Sequence, residues 1–281
     1  MSSIAGLFSG SWSIAIYTWR EGMRKKTLIG FLILSILVIF GSQFITAFLT
    51  TSNVADASQS DLDVKLIKDI CVTAIAIFGV LITIFISASV VPTELENKVI
   101  YTILSKPVRR FQYLLGKFVG VQLIVLINLA LMGALFLVAL YFKERVFPTL
   151  LLYAIGLTYF QFLIVSAFTF AISCTSTSPV LPTIGGLFIY ITGNLTEYLK
   201  DVSDRVGQAE STIDALIGRA AWALYNVLPN LQFFNLKDQV LFLPANDPPR
   251  DTQIPALVTY GLVYALAGYI MAYWIFRRKE L

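Results

Sequence analysis

The sequence has no histidine, two cysteines and, over 281 residues, only 14% charged residues. Each scarcity excludes something. Without histidine, neither a His-based metal site nor a His-activated nucleophile can be assembled. The spans read below place Cys71 and Cys174 near opposite bilayer faces, roughly 30 Å apart, so they cannot form an internal disulfide. So few charges beside 57% hydrophobic residues cannot be hidden in one soluble core. The composition is that of a polytopic membrane protein.

Six apolar runs are long enough to cross the hydrocarbon core as helices, near 28–50, 70–91, 118–142, 150–173, 179–197 and 255–276. An even number puts both termini on one side. One face collects Arg20, Arg24, Lys25, Lys26, Lys98, Lys106, Arg109, Arg110, Lys117, Arg277, Arg278 and Lys279 and carries a net +8, whereas the opposite face carries −4. The positive-inside rule then predicts cytoplasmic termini in a cell (inner) membrane. Cations clustered where chain leaves bilayer suit anionic headgroups and do not call for nucleic acid. The first run, with "ADA" at 55–57 behind it, imitates a secretory signal. It is too long for a signal core of about 7 to 15 residues and reads as an uncleaved span.

Ahead of the first span, Trp12, Ile16, Trp19 and Met23 recur at spacings of 4, 3 and 4, which predicts an amphipathic interfacial helix within residues 1–27. The outer loops at 51–69 and 143–149 lack the ligand spacing of a metal site, and no metal is expected. The segment 198–253 is the one substantial non-membrane region. Leu199, Val202, Val206, Ala209, Ile213, Leu216 and Ala220 step through it by alternating 3 and 4, a helix with one apolar seam. Pro229 ends that helix before "LPNLQFFNLKDQVLF", read as a short helix dipping into the outer interface. Val202, Val206, Ile213, Leu216, Phe233 and Phe234 offer a surface for an extracytoplasmic partner, or pack on this chain or a second copy.

No charged residue falls within the middle of a span, so acid/base pairs cannot be built there. "GKFVG" at 116–120 lacks the earlier glycine and the following Ser or Thr of a phosphate-binding loop. The chain is therefore not expected to be an enzyme or to bind a cofactor of its own. Asn128 and Gln161 lie near mid-membrane, where amides either line a substrate path or join neighbouring helices. Pro179, Pro182, Gly185 and Gly186 mark a bend or a close-packing point at the start of the fifth span.

Between the second and third apolar runs lies the polar stretch "TELENKVIYTILSKPVRRFQYLLGK", residues 93–117. Thr93 and Glu96 form a T-x-x-E capping box, predicting a new helix from Glu94 to about Leu104, before Pro107. Leu95, Val99, Ile100, Ile103 and Leu104 share one face of it, while Glu94, Glu96, Asn97, Lys98 and Tyr101 lie largely off that face. Pro107 suits the first turn of the next helix, and Arg109, Arg110 and Lys117 mark the headgroup level.

This stretch resembles the first cytoplasmic loop of the type-2 ABC transporter permeases. The layout of the whole chain is similar too: an interfacial N-terminal helix, six spans, an external segment carrying "LPNLQFFNL" and a basic "FRRKEL" tail. It looks closest to the NosY-like branch. The resemblance implies an all-α fold, one ABC type-2 transmembrane domain over residues 1–281, with six transmembrane helices, an N-terminal interfacial helix and an external helical insertion before the last span. It also implies a permease subunit, dimeric with a second copy of itself, resting on two copies of a separate cytoplasmic ABC ATPase that holds the ATP and Mg. Glu94, Leu95, Glu96, Lys98, Ile103 and Leu104 match the ATPase-docking coupling helix, and Pro107, Arg109, Gly116 and Lys117 its exit. Lys98-Val99 stands where many relatives carry Gly-Thr or Gly-Ser. The rival from another class is a non-transporting membrane anchor that recruits an extracytoplasmic partner through 198–253. An ion-driven transporter would use intramembrane ionisable residues, which the spans lack.

Overall fold

A computed structural model describes residues 2–52, 57–97, 109–144, 148–196, 198, 200–201, 212–244, 248–249 and 253–279. Its helices are α1 (Ser2–Met23), α2 (Lys26–Ser52), α3 (Ala57–Ser89), α4 (Pro92–Glu96), α5 (Arg110–Glu144), α6 (Thr149–Ser173), α7 (Val180–Asn194), α8 (Thr212–Val227), α9 (Lys237–Phe242) and α10 (Ile254–Arg278). A 3₁₀ turn, Gln232–Phe234, precedes α9. Among the described residues there is no strand.

Among the described residues, four segments are long and apolar enough to cross a membrane: Val64–Glu96, Arg110–Tyr141, Thr149–Ser173 and Ile254–Arg278. A fifth arises if Gly10–Met23 and Leu28–Phe44, bent by 62° at their junction, form one broken span. The six expected spans are thus matched only in part. At 15 residues, α7 rises roughly 22 Å, less than the bilayer core of about 30 Å.

The bundle is organised around α6, which packs on α3, α5, α7 and α10, while α2 covers α3 and α1 lies along the first half of α5. Lipid-type side chains explain the outward faces: Leu37, Phe40, Phe44 and Phe48 of α2, and Leu262, Val263, Leu266 and Ile270 of α10 are all exposed. Inside, Val121, Ile124, Phe136, Phe162, Ile164 and Phe170 are fully buried.

The contact of α1 with α5 rests on small residues. Ser11, Ala15 and Thr18 are buried at spacings of 4 and 3, opposite the Gly116-x-x-x-Gly120 pair of α5. A Cβ on Gly116 would stand 2.6 Å from the Ser11 carbonyl oxygen, and one on Gly120 would stand 2.6 Å from Thr18 Cβ and 2.8 Å from the Ala15 carbonyl oxygen. The backbones therefore approach as in small-xxx-small membrane packing. The face carrying Trp12, Ile16, Trp19 and Met23 is divided: Trp19 and Met23 are partly buried against the core, whereas Trp12, outside the small-residue seam, is 55% exposed.

The segment before α10 is tied down by its backbone. Leu231 N–H donates to the Gly193 carbonyl (3.0 Å) and Asn230 N–H to the Tyr260 hydroxyl (2.9 Å). Leu231 and Phe234 are fully buried, whereas Phe233 is half exposed. Phe234 is thus a core residue beside the Tyr260 ring, at 6.1 Å, and cannot belong to an exposed partner surface. Val202 and Val206 lie outside the described residues, and Ile213 and Leu216 are described only through the backbone of α8.

Candidate coupling site

A buried polar cluster lies where α3 gives way to α4. Val91 keeps helical backbone angles, so the Glu94 and Leu95 amides both bond to its carbonyl and α4 starts with Pro92 in its first turn. Proline suits that position, since its missing N–H would have had no helical acceptor. No side chain caps this helix. The capping box expected of Thr93 and Glu96 is therefore not formed, and the helix begins two residues before Glu94. The back-reaching half of such a box occurs instead at the start of α5, where the Arg109 N–H donates to Gln112 Oε1 (2.9 Å).

The short α4 turns Glu94 inward. Its carboxylate accepts from Lys117 Nζ at one oxygen and from the Tyr113 hydroxyl at the other. Lys117 and Tyr113 stand one helical turn apart on α5, so both reach the same group. Glu94 is 3% exposed, and Lys117 and Tyr113 are fully buried. This differs from the sequence reading at two residues. Glu94 does not face the cytosol with Glu96, and Lys117 does not reach headgroups. Both charges turn inward because each is the other's partner, and a buried charge persists only when paired and hydrogen-bonded.

Surrounding groups extend the cluster. Lys25, at the α1–α2 junction, donates from Nζ to Ser89 Oγ at the end of α3 (2.8 Å). Burial holds its ammonium below the usual lysine range, with Glu21 pulling the other way. The Tyr113 ring stacks on Phe276 of α10, with centroids 5.6 Å apart. Arg110 Nη1 donates to the Arg277 (3.0 Å) and Lys279 (3.2 Å) carbonyls, capping α10. Lys279 Nζ in turn reaches the Cys174 carbonyl (3.3 Å) at the end of α6. Arg110, read as a headgroup contact, is thus engaged with the chain's own C-terminal helix.

Leu95 is half-buried against the core, and Glu96 and Arg109 are exposed. Gly116 faces α1, as described above. Lys98, Ile103, Leu104 and Pro107 lie outside the described residues. What the site can do is mechanical: α4 is held to α5 by a buried ion pair, and α5 is clamped to α10. Tyr113 and Lys25 were missed in the sequence. The i, i+4 spacing of Tyr113 and Lys117 was the available signal for the first, and nothing local marked the second.

The two mid-membrane amides separate. Asn128 donates to the Ile124 carbonyl of its own helix (2.8 Å), and its buried Oδ1 has no partner among the described residues. Gln161 donates to Asn194 Oδ1 across α6 and α7 (3.1 Å) and also lines a cavity. A second inter-helix tie, Gln122 Nε2 to Ser166 Oγ (2.6 Å), escaped the sequence reading.

Long apolar helices in one bundle, with a polar cluster at one end, define a multi-pass α-helical membrane protein. The profile of the family described as ABC-2 family transporter protein matches residues 12–281, and the chain belongs to that family. It is thus akin to the membrane subunits of ABC transporters, which normally lack an ATPase site of their own and work with an ABC ATPase subunit. No curated protein matches the chain significantly.

Proposed function

We propose that this chain is the permease subunit of an ABC transporter, coupling ATP hydrolysis on a separate cytoplasmic ATPase to export or to a mechanical signal across the membrane. The observation that supports this best is the buried tie of Glu94 to Lys117 and Tyr113. A force applied to α4 from the cytosol reaches α3 through a near-continuous backbone and α5 through the ion pair. Rigid-body transmission of this kind is an established way of moving helices. In this reading the chain crosses the inner membrane six times with cytoplasmic termini, pairs with a second copy, sits on two ATPase copies that carry ATP and Mg, and belongs to the NosY-like branch. Glu96, Lys98, Ile103 and Leu104 meet the ATPase, with Leu95 anchoring the helix from below and Pro107 at its exit. Glu94 acts behind that surface.

Glu96→Lys tests the reading. The exposed charge reversal leaves the bundle intact, and it is expected to abolish ATPase co-purification or its stimulated turnover under mild extraction. Undiminished co-purification and turnover would count against the docking surface. Absence of any ATPase from the wild-type preparation would favour the rival reading of a membrane anchor, for which Trp222 of α8, 62% exposed, offers an outer contact.

A further inference from the structure

At the end of the bundle opposite the ion pair, α3, α6, α7 and α9 line a half-open cavity of about 180 Å³. It reaches from Leu151, near the start of α6, down to Gln161 at the middle of that helix. Its polar lining comes from Thr73, Thr158, Gln161, Asn194, Asn235 and Lys237, Tyr190 of α7 adds an aromatic ring, and aliphatic side chains of α3 and α6 supply the rest. Whole drug-sized ligands take roughly 300–1,000 Å³, so this space suits one headgroup or ring.

Charge narrows the chemistry. Lys237 is the charged residue of the lining, and it is already paired with Asp69 (2.6 Å) and bonded to Thr73 Oγ1 (3.0 Å). An anion would find a cation whose charge Asp69 already neutralises, and a cation would meet Lys237. Several donors are committed as well. Gln161 Nε2 donates to Asn194 Oδ1 (3.1 Å), Asn194 Nδ2 to the Tyr190 carbonyl (2.8 Å) and Thr158 Oγ1 to the Ala154 carbonyl (2.8 Å). These bonds orient the groups and leave lone pairs on Gln161 Oε1 and Thr158 Oγ1 to accept further hydrogen bonds. Hydroxyl groups satisfy such acceptors without bringing charge, and the C–H faces of a hydroxylated ring suit the aliphatic lining.

We infer that this cavity binds a neutral, polyhydroxylated headgroup, a sugar ring or a glycerol moiety, presented either on a lipid or free in solution. Binding stands by itself; only the description of this ligand as cargo rests on the permease reading.

The test uses the full chain in phosphatidylcholine nanodiscs and ligand-observed NMR. Three amphiphiles share an octyl chain: octyl glucoside, octyl sulfate and octyltrimethylammonium. Octyl glucoside is expected to bind roughly fivefold or more tightly than either charged analogue, and Gln161→Leu and Thr158→Val are each expected to weaken it by roughly three- to tenfold, the worth of a hydrogen bond. Methyl glucoside that competes identifies a free sugar as sufficient; octyl glucoside binding without such competition identifies a lipid-linked one. Equal binding of the three amphiphiles, tighter binding of the sulfate, or full affinity in Thr158→Val would overturn the inference. Thr158→Val is nearly isosteric and keeps the Gln161–Asn194 tie, so it carries the test if Gln161→Leu fails to fold. ATPase co-purification with Thr158→Val is expected to match wild type, so loss of the cavity proposal leaves the permease reading separately decidable.

Discussion

Glu94 and Lys117 sit where burial makes each costly alone. Removing one partner of a buried pair leaves an uncompensated charge, typically at about 3–5 kcal/mol, whereas replacing both by apolar groups of similar volume is often neutral. Lys117→Met alone and Glu94→Leu alone are therefore expected to lower thermal stability in detergent sharply, and the double variant to recover most of it. Additive losses in that cycle would mean that the two charges are not coupled. The cysteines make a second residue-level case. Both are free and buried, and burial pushes the Cys174 thiol up to about 12, against smaller opposing effects of Lys279 and Ser173. Thiolate is the reacting species, so maleimide at pH 7.5 is expected to label neither cysteine in the native protein and both after denaturation in SDS. Rapid native labelling would show that one of the two sites opens.

Among the elements, α1 packs through a face to which the sequence reading gave no role. Aromatic spacing marked an interfacial helix and left its contact with the bundle unassigned. In lipid, apolar side chains have no cause to hide, and helices meet where their backbones can approach. Ser11, Ala15 and Thr18 against Gly116 and Gly120 were equally visible as a small-residue pattern. Gly116→Val would drive a side chain onto the Ser11 carbonyl, a backbone atom that cannot swing aside, and overpacking of this kind costs roughly 1–3 kcal/mol. Its expected signature is a lower melting temperature together with increased protease cleavage within residues 10–23. Gly156→Val serves as the control, because a Cβ there meets nothing within 4 Å. Equal effects of the two substitutions would remove α1 from the bundle's stability. The α4 boundary was misplaced for a local, backbone reason. Val91 and Pro92 carried the chain from α3 into a new turn without side-chain caps, so the cap signature at Thr93 had no amide left to satisfy.

For the whole molecule, long apolar runs and their polar breaks were legible because bilayer thickness sets a length that sequence records directly. What sequence could not supply was which polar groups find each other: Glu94 and Lys117 are 23 positions apart, and Lys237 meets Asp69 across most of the chain. The same fold makes orientation testable. Gly10 lies nearest Gln112, and Arg110 holds the Arg277 and Lys279 carbonyls, so α1, the start of α5 and the end of α10 share one end of the bundle. The cavity and the Lys237–Asp69 pair occupy the other. Positive charge concentrates at the first end, and the bias of Lys and Arg near span ends sets orientation. Green fluorescent protein fused to either terminus is therefore expected to fluoresce, and alkaline phosphatase fused after residue 244, in the segment leading to α10, to be active. Active phosphatase at the C-terminus would reverse the topology. It would place Glu96 outside the cell, where no ATPase could reach it, and would sink the permease mechanism together with the orientation.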